Sequence, residues 1–77
     1  MSFLPVIRAA TLIPILLKMG FRIIRQKGSH VSLQHMLDKT KKVTVPIHNK
    51  DLAKKTLSSV LKQAGISIQE FLRLLGK

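Results

Sequence analysis

The sequence contains no cysteine, tryptophan or tyrosine, and only three acidic residues, Asp38, Asp51 and Glu70, in 77. Without cysteine there is no disulfide and no thiolate metal site, and the redox state of the compartment is left open. The three histidines and three acids lack the spacing of a zinc or calcium site, so no metal ligand and no cofactor is assigned. Besides histidine, three phenylalanines are the only aromatic residues, which makes base stacking a poor basis for recognition and favours sugar and phosphate. No apolar run is long enough to span a membrane, since Phe3 to Leu17 is broken by Pro14 and closed by Lys18. No small-residue cleavage site follows, so no signal peptide is expected, and the cytoplasm is the expected compartment.

What the chain does carry is positive charge. Fourteen Lys and Arg give a formal net charge of +11, which calls for a polyanionic partner unless the basic surface is merely solvated. The length suits one domain, residues 1–77, with no room for a second core. A core of that size supplies little net stability, so a partner chain is the expected external support.

Periodicity gives an order of helix, three strands, helix, helix. Leu12 to Met19 reads as a first helix, apolar almost all round, ending at Gly20. With Thr11 as N-cap, Pro14 falls in the first turn and is tolerated; an earlier start implies a kink. Phe21 to Gln26 reads as a strand, Lys27-Gly28-Ser29 as a turn, and His30 to Met36 as a second strand. A polar loop leads to a third strand through Val43, Val45 and Ile47, where Pro46 suggests an edge or an end. Thr56 is the expected N-cap of a helix carrying Leu57, Val60, Leu61 and Ala64 and stopped by Gly65. Ser67 and Glu70 then have the spacing of a capping box before Phe71, Leu72 and Leu75.

Strand alternation predicts that Val31, Leu33, Val43 and Val45 face the helices. His30, Ser32, Gln34, Thr44 and His48 then share the opposite face, which Arg22 joins if Phe21 and Ile23 point into the core. His35 falls on the other parity from His30 and is left out of any site. Histidine is the side chain best suited to take and give a proton near neutral pH, and His30 lies close to Arg22, Arg25 and Lys27 in the sequence. By itself a histidine after a turn is more often only a polar surface residue.

Several stretches together resemble the HicA toxin family. Gly20-Phe21 comes before Arg25-Gln26-Lys27-Gly28-Ser29-His30 and Val43-Thr44-Val45-Pro46-Ile47-His48. Thr56-Leu57 and Leu61-Lys62-Gln63-Ala64-Gly65-Ile66-Ser67 follow in the same register, and Leu4-Pro5-Val6 resembles the family's opening. The first helix departs from the pattern at Arg8, Ala9, Ala10, Pro14, Ile15 and Leu17, and its extra apolar surface suits an antitoxin or a second copy.

The resemblance implies an α+β, double-stranded-RNA-binding-domain-like fold with three antiparallel strands and helices on one face. It implies the mRNA interferase toxin of a type II toxin–antitoxin pair, a metal-independent endoribonuclease that inhibits translation. A HicB-type antitoxin would mask the site, in a hetero-oligomer or beside a toxin homodimer. The catalytic histidine of the Gly-Ser-His motif is His30 here, with Lys27, Ser29 and His48 as candidates for support. His48 has two readings, a second proton carrier or a polar residue ending the third strand. Arg22, Arg25, Lys27, Gly28, Lys41, Lys42, Lys54 and Lys55 are the candidate RNA contacts; Lys39 and Lys50 are further cations near them. The alternative is a non-catalytic RNA-binding module on the same fold.

Overall fold

A computed structural model describes residues 4–47 and 51–76. The order is α1 (Ala9–Lys18), β1 (Phe21–Lys27), β2 (His30–His35), β3 (Lys42–Pro46), α2 (Lys54–Ala64) and α3 (Ile68–Leu74). The strands form an open antiparallel sheet in the order β1-β2-β3. This is the α-β-β-β-α-α layout expected from the sequence.

The core lies between one sheet face and the helices. Val31, Leu33, Val43 and Val45 are buried, as alternation predicts, and join Leu12, Leu16, Leu57, Val60, Leu61 and Phe71 in one cluster. No buried polar or charged side chain interrupts it among the described residues. Burial of the sheet's apolar face against amphipathic helices therefore holds the layers together.

Both longer helices begin earlier than their expected caps. α1 starts after Arg8, whose carbonyl accepts from Thr11 N at 2.9 Å and Leu12 N at 3.1 Å. Thr11 is thus the third helical residue, and Pro14 lies past the first turn, where it has no N–H to donate to the carbonyl of Ala10, an exposed residue. α2 starts after Ala53, and Thr56 sits inside its first turn with no cap role. The tie that precedes this start is tertiary: Leu52 is buried and its N–H donates to Ile7 O at 2.8 Å. Packing, rather than a side-chain cap, sets these two starts. Ser67 does cap α3, accepting from Glu70 N at 3.1 Å, while the Glu70 carboxylate pairs with Arg73. The expected stops hold, with Gly65 left-handed at the end of α2 and Gly20 at positive φ just past α1.

Ile23 corrects the expectation of an inward core residue. It pairs with Leu33 but is 49% exposed, and its neighbour Ile24 is 48% exposed. Phe21 is the one buried residue of β1, because the strand is an edge and runs out from under the helices after it. On α1, Ala9, Leu12, Ile15 and Leu16 are buried while Ala10, Thr11, Pro14, Leu17 and Lys18 are exposed, so the helix is covered on one face and Leu17 adds apolar surface to the other.

Candidate nucleic-acid interface

The face of the sheet away from the helices is built by two hairpins. In the first, Gly28 takes φ +59° between paired Lys27 and His30, with Ser29 at negative φ. A glycine with positive φ at the first central position suits a two-residue type II′ connection, whose twist matches the strands it joins. Ser29 serves through its backbone, accepting from Ile47 N at 2.5 Å and so extending the β2–β3 ladder to this corner.

Register then decides which side chains meet. Arg22 pairs with Gln34 and Ile23 with Leu33, but Arg25 pairs with Ser32 and Lys27 with His30, so Ile24 is a bulge residue without a partner. In a regular strand Arg22 faces one way, and Arg25 and Lys27 face the other. One extra residue resets the alternation, and all three cations share the face of His30. On the other side of β2, His30 pairs with Pro46, Ser32 with Thr44 and Gln34 with Lys42.

The outer face is therefore three rows deep: Lys27–His30–Pro46, Arg25–Ser32–Thr44 and Arg22–Gln34–Lys42. Arg25, Lys27, His30 and Ser32 line an open cleft of about 270 Å³. Among the described residues, no ion pair or side-chain hydrogen bond occupies Arg22, Arg25, Lys27, His30 or Lys42. The acids are engaged elsewhere: Asp51 with Arg8 at 3.7 Å, Glu70 with Arg73, and Asp38 with Thr40. This arrangement can hold phosphate oxygens beside an accessible imidazole.

The remaining candidates are distributed more widely. Lys41 lies over the C-terminal end of α2, its Nζ within 3.2 Å of where a Cβ on Gly65 would sit, a favourable place for a cation. Lys54 and Lys55 open α2 in the helical layer. Gly28 shapes the turn. His48 and Lys50 lie outside the described residues. Ser32 is the site-lining residue not singled out beforehand, although alternation already placed it on the face of His30. The Ile23-Ile24 doublet interrupts the alternation of the strand, but only the pairing with β2 shows which residue the ladder passes over.

His35, left out of any site because of its parity, has a structural role. Its Nε2 donates to Met19 O at 3.0 Å, and its Nδ1 accepts from Leu37 N and Asp38 N, both at 3.1 Å. Its ring meets Phe21 edge-on at 5.1 Å. It thus ties the end of α1 to the loop after β2. In that loop, the Thr40 hydroxyl and backbone N–H hold the Asp38 carboxyl below the usual carboxylate range, with smaller help from Lys41 and His35.

Residues 9–66, well over half of the chain, match the family model described as HicA toxin of bacterial toxin-antitoxin. No curated protein matches the chain. Among the described residues, no helix is long and apolar enough to cross a membrane, and no three His or acidic side chains are grouped as metal ligands.

Proposed function

The chain belongs to the HicA toxin family, the toxin half of bacterial toxin–antitoxin pairs, and from that premise we propose that it is an endoribonuclease acting on mRNA. The observation that carries the reading is the cleft in which Arg25, Lys27, His30 and Ser32 converge. In the proposed reaction the neutral His30 imidazole takes the proton of a ribose 2′-OH. The freed oxygen bonds to the adjacent phosphorus, the P–O5′ bond breaks, and the 5′ oxygen leaves with a proton from the imidazolium or water. The products are a 2′,3′-cyclic phosphate and a 5′-hydroxyl.

Lys27 and Arg25 flank this histidine and stabilise the negative charge that builds on the phosphoryl oxygens. The scheme draws on no metal ion. Cutting mRNA in the cytoplasm would block translation, which is the toxic effect. A cognate antitoxin is implied by the family; we assign it to the HicB type, covering the basic outer face with acidic groups in a hetero-oligomer.

The test is purified toxin incubated with RNA in excess EDTA. Fragments with cyclic phosphate ends are expected, and His30→Ala should slow their formation by about 10²–10⁴-fold, the usual worth of a positioned acid–base group. His30 is exposed, so the variant should keep the parent's circular dichroism and melting point. Parent-like cleavage by the variant would remove His30 from the chemistry. A gel shift with no fragments from the parent would make the protein an RNA-binding module instead.

A further inference from the structure

The bulge at Ile24 does more than add cations near His30. Arg22 and Arg25 are three residues apart in sequence, yet their partners Gln34 and Ser32 are only two apart on β2. Arg25 and Lys27 are likewise two apart, opposite Ser32 and His30. The three cations therefore recur at one even step along the sheet edge, about 6.6–6.8 Å for two strand residues. That step is comparable to the distance between successive phosphates in an extended polynucleotide.

Beside this row run His30, Ser32 and Gln34, a hydrogen-bonding strip on β2. The far strand offers a single cation, Lys42, at the opposite corner. One cation row fits one backbone; a duplex would bring a second phosphate row to a strand that offers it Lys42 alone. Past the Lys27–His30 pair the two strands end in the Gly28-Ser29 turn, which itself carries no cation.

We infer that Arg22, Arg25 and Lys27 form a three-phosphate track for a single RNA strand laid along β1. The scissile phosphate sits at the Lys27–His30 end, and the next two phosphates, on one side only, sit at Arg25 and then Arg22. Sugars and bases of that side lie over Ser32, whose hydroxyl accepts or donates, and over Gln34, whose Nε2 donates to Lys39 O at 3.0 Å and whose amide oxygen is left to accept. This inference rests on the ribonuclease reading for the position of the cut, though not for the track itself.

Two measurements test it. The first is the salt dependence of single-stranded RNA binding to full-length His30→Ala protein, read by fluorescence anisotropy. Each lost phosphate contact should flatten the log K against log salt slope by about 0.7, for Arg22→Gln and for Arg25→Gln, with Lys62→Gln on α2 as the unchanged control. The second is cleavage by the parent of DNA strands carrying one ribonucleotide, with a neutral methylphosphonate one or two positions from the cut. Neutralising phosphates on one side should slow cleavage at low substrate concentration severalfold, and those on the other side should not. Arg25→Gln should erase the effect at the nearer position and Arg22→Gln at the farther.

Unchanged slopes in both arginine variants overturn the track, as does equal sensitivity on the two sides of the cut. Cleavage with unchanged slopes discards the track and keeps the ribonuclease. Flattened slopes without cleavage keep the track and discard the ribonuclease.

Discussion

At the scale of single residues, the two histidines of β2 have opposite fates. His30 leaves the first hairpin exposed and without a partner among the described residues, whereas His35 has both ring nitrogens occupied. Parity along β2 separates them: even positions face water and odd positions face the helices. Gly20 belongs to the same junction, since it has φ +97° and a Cβ there would stand 2.9 Å from His35 Nε2. Asp38, whose backbone N–H donates to His35 Nδ1, lies at the same junction. Its carboxyl pKa is depressed in the folded state, so its contribution to stability is complete above the ordinary carboxylate value and is lost as pH falls through the lowered one. Asp38→Asn should therefore make the urea midpoint less dependent on pH between about pH 5 and pH 2. The same acid-side slope in parent and variant would show that this carboxyl does not contribute to it.

At the scale of elements, β1 is the informative strand. Its bulge residue Ile24 is surplus to the ladder, because every other β1 residue has a β2 partner without it. Deleting Ile24 should leave a regular strand in which Arg22, Arg25 and Lys27 still face outward. The expected outcome is a folded protein with RNA affinity close to the parent's, an uncommon tolerance for a deletion inside a strand. Deleting Leu33 from β2 shifts the register of both hairpins and should abolish folding. A collapse of RNA affinity in the folded Ile24 deletion, with Arg22 still contributing its share of the salt slope, would show that the bulge sets more than facing. The helix starts make a related point. Thr11 and Thr56 have the residue type and position of caps, yet the chain becomes helical before them because packing of Ala9 and Leu52 sets the starts.

At the scale of the whole molecule, charge is the dominant quantity. Three acids against fourteen Lys and Arg leave the net charge at +11, and each acid is engaged by a local partner. Self-repulsion should therefore limit stability at low ionic strength. Raising salt from about 20 to 300 mM, across which the Debye length falls severalfold, should raise the melting temperature. Relief of about 1 kcal/mol corresponds to about 4–8 °C for a domain of this size. Short polyanions should raise it further by binding the folded state. A melting temperature that falls with salt would mean that local ion pairs outweigh the repulsion.

The element order, the inward set Val31, Leu33, Val43 and Val45, and the turn that delivers His30 were all legible in the sequence. Each depends on local periodicity or on a glycine stop, and local rules carry that information. The outward parity of His30 and the basic composition were legible for the same reason. Three things were decided only by tertiary structure: the exposure of Ile23, the early helix starts, and the gathering of Arg25 and Lys27 onto the side of Arg22. Alternation counted along β1 alone assigns those cations to opposite faces. Pairing with β2 overrules the count, since a ladder can pass over one residue, and which residue it passes over depends on what the partner strand buries.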